Sequence, residues 1–157
     1  MNKYKNLKVH VSCLPASEKD IKKLFFQILE DYVTRFSLTV TDKPTVINIC
    51  LVEYNEHDSN QGVTMYSEPD GRMLIQVRDP FLNDWEDNPY MMAKFSDIIC
   101  HEFVHAAQYL TDRMGIKIKG LKYDKKDSQE SYFFDPTEME ARLFEAPYST
   151  LYAQHLL

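Results

Sequence analysis

The sequence predicts a single α+β domain. Three observations carry that expectation: an alternating β-branched run near the start, helical apolar periodicity in three later stretches, and turn residues between two short strand-like runs. The chain has 157 residues, so one domain spanning 1–157 is expected, with a core that needs no staples. Apolar residues make up 44% and there are only four glycines, which excludes disordered, collagenous and low-complexity classes.

Lys8–Cys13 alternates as a first strand should. Apolar residues then recur at Ile21, Leu24, Phe25, Ile28, Leu29, Tyr32, Val33 and Phe36, the face of one buried helix, with Ser17 and Asp20 as its N-terminal cap. Thr45–Val52 is short, continuous and β-branched, an interior strand. Gly62–Tyr66 and Arg72–Arg78 flank Glu68-Pro69-Asp70-Gly71 and read as a hairpin. Asp79–Pro89, with two prolines and the only tryptophan, reads as a structured loop. Tyr90–Met114 reads as one long helix stopped by Gly115, and Gly115–Ser131 as a polar loop. Asp135 caps a last helix that has Pro136 at its first position and a break or kink at Pro147. The predicted order is β-α-β-β-β-α-α.

Acidic residues outnumber basic ones by 24 to 18, a net charge of −6 that argues against nucleic acid or anionic membrane as a partner. The one basic run, Lys117, Lys119, Lys122, Lys125 and Lys126, reads as a solvated loop. Cys13, Cys50 and Cys100 are odd in number and lack CxxC spacing, as in reduced proteins. With no signal-peptide h-region and no membrane-length apolar run, a cytoplasmic location is expected.

One motif carries chemistry. His101-Glu102-Phe103-Val104-His105 falls inside the long predicted helix. Residues four apart stack on one helix face, so two imidazoles can reach one ion. Glu102 projects about 100° away from His101, within reach of a water at that ion without being a ligand. Imidazole suits zinc, and a catalytic zinc keeps three protein ligands and one open position. A nearby carboxylate can then take a proton from water.

With this HEFVH segment the sequence resembles the zincin metallopeptidases, whose active-site helix carries HExxH. The metzincin extension would need Gly and His where Gln108 and Thr111 stand. The gluzincin branch takes its third ligand from a glutamate on a downstream helix, in a pattern such as ExxA[DN]. Glu138, 33 residues past His105, matches with Ala141, while Arg142 stands where the family has Asp or Asn. The resemblance implies a compact, minigluzincin-like fold: a small mixed sheet packed with an N-terminal helix, the active-site helix and a ligand helix. It implies a Zn2+ ion held by His101, His105 and Glu138, with Glu102 as general base of peptide hydrolysis. It also implies a peptide or protein substrate bound as an extended strand along the cleft edge, for which Arg72–Arg78 is the matching segment.

Several positions keep alternatives. Glu140 competes with Glu138 as third ligand, and Asp135-x-x-Glu138 also has capping-box spacing. Tyr123 and Tyr132 are candidate oxyanion donors or ordinary packing tyrosines. Gln108 contacts substrate, a loop or solvent; Asp97 orients a histidine or is solvated; Cys100 reads as core. His10, His57 and His155 have no motif around them. The functional expectation is a zinc metallopeptidase. The alternative is a binding or assembly protein on the same scaffold, holding an extended partner segment uncut.

Overall fold

The computed structural model describes residues 3–12, 15–53, 62–79, 88–111 and 135–156. Among them are β1 (Leu7–Ser12), α1 (Pro15–Phe36), β2 (Thr45–Glu53), β3 (Gly62–Ser67), β4 (Arg72–Asp79), α2 (Pro89–Thr111) and α3 (Pro136–Leu156). The α+β class and the element order are those the sequence predicts. Cys13, His57, the 80–87 stretch, Gly115, the lysine run, Tyr123 and Tyr132 lie outside the described residues.

The four strands form one mixed sheet in the order β1-β2-β4-β3. β2 runs parallel to both β1 and β4, and β3 is antiparallel to β4. Alternation along β2 and β4 buries Ile47, Ile49, Leu51, Met73, Ile75 and Val77 on one face, where the helices pack. This topology corrects one expectation. Arg72–Arg78 is not the cleft edge: β4 is paired on both sides, and the edge beside it is β3. At its end Arg78 donates to the Glu53 carbonyl of β2 at 2.9 Å.

α1 buries Ile21, Leu24, Phe25, Ile28, Leu29 and Tyr32, and packs Val33 and Phe36 against that core, so the periodic face read from sequence is the one used. It begins at Pro15, two residues before Ser17, which therefore lies inside the helix and is not its cap. At its C-terminus Ser37 has φ 53°, and the Leu38 amide donates to the Val33 carbonyl at 3.0 Å. That is the left-handed closure usually given to glycine. At the hairpin turn Gly71 has φ 61°, and a Cβ there would lie 2.6 Å from the Pro44 carbonyl oxygen.

α2 is the central element. It touches β3, β4, α1 and α3, which is why so much of its circumference is apolar or small. Phe25 meets Phe103 edge-on at 5.3 Å, joining α1 to α2, and Tyr32 meets Phe144 at 5.3 Å, joining α1 to α3. α3 passes through Pro147 without a break, because Phe144 before it and Ser149 after it are both buried and hold the two halves in place. Among the described residues no helix is long and apolar enough to cross a membrane.

Candidate metal centre

His101 and His105 project from α2 towards the first turns of α3. Ile99, Phe103 and Val104 bury the rest of this α2 segment, which fixes the rotation of the helix and so the direction of both imidazoles. On the other side, Asp135 caps α3: its Oδ1 accepts from the Thr137 amide at 2.8 Å, from the Glu138 amide at 3.4 Å and from the Thr137 hydroxyl. Only the aspartate half of the capping box forms. The Glu138 side chain is turned away from its own helix terminus and into the space between α3 and α2.

There three donors converge. Glu138 Oε2 is 2.7 Å from His101 Nε2, Glu138 Oε1 is 2.9 Å from His105 Nε2, and the two Nε2 atoms are 3.1 Å apart. Each of the three residues has a ligand atom within 4.8 Å of the others, a group able to hold a metal ion. Tetrahedral zinc at 2.0–2.2 Å from each donor would hold them about 3.3 Å apart. The observed separations, which involve both Glu138 oxygens, fall short of that by up to about 0.6 Å, so the side chains must spread to admit the ion. Two imidazoles and one carboxylate are donors that suit zinc and also other first-row transition metals such as iron.

The electrostatics have the same origin. Burial disfavours an imidazolium at His101, but the carboxylates of Glu138 and Glu145 outweigh it and push the group up to about 10. His105 is raised in the same way, against burial, by Glu138. Burial pushes the Glu138 carboxyl up, yet the two histidines hold it well below the usual carboxylate range. Electron pairs this close need a cation among them. In the metal-free chain protons on the imidazoles serve, and a metal ion would displace them.

Glu102 lies on the neighbouring face of α2, 5% exposed and under β3. Thr64 donates from its hydroxyl to the Glu102 carbonyl at 3.2 Å and reaches its Oε1 at 3.4 Å. Gly62 is what lets the strand come so close: a Cβ there would stand 2.9 Å from both Glu102 Cγ and Ile98 Cγ2. Burial raises the Glu102 carboxyl, with His105 and His101 pulling it back only in part. A carboxyl raised in this way holds a proton more readily than an exposed one.

The competing positions separate clearly. Glu140 faces α1 and accepts from the Tyr32 hydroxyl, and Gln108 Nε2 also reaches it at 3.3 Å. Asp97 is exposed, and the carboxylate facing His101 Nδ1 is that of Glu145, 3.2 Å away at ion-pair distance but outside hydrogen-bond geometry. The sequence reading passed over Glu145, although it sits two turns beyond Glu138 on the same helix. Gln108 is not a solvated residue: it is 3% exposed, with Oε1 2.8 Å from His105 Nδ1. Cys100 is fully buried in the core, and burial pushes its thiol up. His10 is exposed on β1, and His155 pairs with Asp20 at 3.3 Å on the surface. No family model, curated protein or solved structure matches the chain, so the functional reading rests on the chemistry of this site.

Proposed function

We propose that the chain is a zinc-dependent peptidase of gluzincin type, with His101, His105 and Glu138 as metal ligands and Glu102 as general base. The observation that carries this reading is the convergence of the two imidazoles and Glu138 within 4.8 Å, with buried Glu102 beside them on the same helix. A zinc ion bound there supplies Lewis acidity, which makes water acidic enough to be deprotonated near neutral pH and polarises a peptide carbonyl.

The chain's own groups do the rest. Glu102 accepts the proton of the attacking water and delivers it to the departing amine. Its raised affinity for that proton, produced by burial beneath β3, suits both halves of the transfer. The substrate in this reading is a peptide segment paired in extended form with β3, the edge strand that crosses Glu102 at Gly62–Thr64. Main-chain pairing of that kind orients the peptide without demanding a particular sequence.

Zinc-loaded wild type and Glu102→Gln, incubated with casein and a mixed peptide library, provide the test. Cleavage by wild type alone, with equal zinc in both proteins, is the expected result. Equal zinc with no cleavage by either, while an extended peptide is retained, would point instead to a binding protein on this scaffold.

A further inference from the structure

We propose that Gln108 is a positioning residue for the metal centre: its amide holds His105 with the proton on Nδ1 and leaves Nε2 free to face the ion. The proposal rests on the metal-centre reading above and adds a residue to it. Gln108 Nε2 donates to the Thr137 carbonyl at 3.0 Å, and a carbonyl can only accept, so the amide nitrogen is the atom on that side. The same nitrogen points at Glu140 Oε1, 3.3 Å away, a second group that only accepts when ionised. Two acceptors thus fix the amide in one orientation and turn Oε1 to His105 Nδ1 at 2.8 Å. An amide oxygen cannot donate. The hydrogen of that contact therefore belongs to Nδ1, and the unshared pair of neutral His105 belongs to Nε2, the atom 2.9 Å from Glu138 Oε1 and 3.1 Å from His101 Nε2.

The arrangement also ties the ligand to the fold. Thr137 and Glu140 belong to the first turns of α3, and Glu140 accepts in turn from Tyr32 of α1, itself fully buried. The amide thus joins α2 to α3 directly, and α1 through Glu140, behind His105. The two histidines are backed differently, His101 by the carboxylate of Glu145 and His105 by a neutral amide. The neutral partner adds no charge to a cluster that already contains Glu102, Glu138 and Glu145. Partners of this kind typically change metal affinity by roughly 10–100-fold when removed.

Cobalt(II) binding to the metal-free full chain, followed by chelator competition and by proton NMR of the ring N–H groups shifted by the ion, tests the assignment. Wild type should bind one cobalt and show two exchangeable shifted N–H signals, one per histidine. Gln108→Met, which keeps the side-chain length and removes both amide atoms, should lower affinity roughly 10–100-fold and shift or abolish one signal only. Wild-type affinity and both signals unchanged in Gln108→Met overturn the proposal. So does a loss of affinity in Gln108→Met that leaves both signals unchanged, since packing alone would then be the role. If wild type itself binds no cobalt or zinc, the metal-centre reading falls, and this proposal with it.

Discussion

Glu145 Oε2 stands 3.2 Å from His101 Nδ1, is buried, and makes no hydrogen bond among the described residues. A buried carboxylate oxygen left in that state is costly unless a hydrogen-bond donor reaches it. Metal binding at Nε2 keeps the His101 proton on Nδ1, where a small ring rotation aims it at Glu145. Arg142 occupies the position at which the gluzincin sequence pattern has Asp or Asn, and Glu145, three residues further along α3, faces the His101 imidazole. Glu145→Gln is expected to weaken zinc binding roughly 10-fold in chelator competition, whereas Asp97→Asn leaves it unchanged. Equal losses in both variants would mean that general negative charge, and not this contact, matters.

Glu138 and Glu140 should behave oppositely. Glu138→Ala removes a ligand, so zinc affinity should fall by more than the roughly 100-fold that marks an outer partner. Glu140→Gln keeps an oxygen for Tyr32 and Gln108, so zinc should stay bound with affinity within about threefold, read by chelator competition.

How much of this was legible beforehand follows from the range of each interaction. The α1 face and the HEFVH pair are set by local helical period, so the sequence displays them directly. The choice between Glu138 and Glu140 depends on how α3 is rotated against α2: the two side chains point about 200° apart, and nothing local says which way the helix turns. Gln108 and Glu145 were misread or passed over for the same reason, since their partners lie across a helix–helix interface. The edge strand was misplaced because both arms of the hairpin carry strand-like patterns. Only the long-range pairing of β2 with β4 decides which arm is interior.

The metal-free cluster should show a pH signature. His101 is raised from 6.5 to about 10, so its stabilising contribution is complete below pH 6.5 and is lost as pH rises towards 10. Glu138 is lowered from 4.5, so its contribution is complete above pH 4.5 and is lost as pH falls. Thermal unfolding with excess chelator should therefore give a Tm that declines from pH 6.5 to 10. His101→Gln should flatten that decline, and a decline of the same size in the variant would assign it to other groups.

Gly62→Ala should separate catalysis from metal binding. The added methyl presses first on Glu102 and Ile98, and its three nearest atoms belong to none of the proposed ligands. Hydrolysis should fall at least 10-fold with zinc affinity nearly unchanged, since displacement of a catalytic group by an ångström can cost on the order of 100-fold. Parallel loss of both would place the strain on the α2 backbone instead.

Ser37→Gly should stabilise the fold. A left-handed residue other than glycine costs about 1–2 kcal/mol, while glycine loses roughly 0.5–1 kcal/mol more backbone entropy on folding. The difference leaves a gain of about 0.5–1 kcal/mol, measurable as a shifted urea midpoint at unchanged slope.

The central claim is a metal ion held by His101, His105 and Glu138, and the zinc-to-chain ratio tests it most directly. Wild type and His105→Ala, each purified, exposed to excess zinc and dialysed, would be analysed for bound metal. One zinc per chain in wild type, and essentially none in His105→Ala at retained helical content, is the expected result. Wild type without stoichiometric zinc, or His105→Ala with as much zinc as wild type, contradicts it.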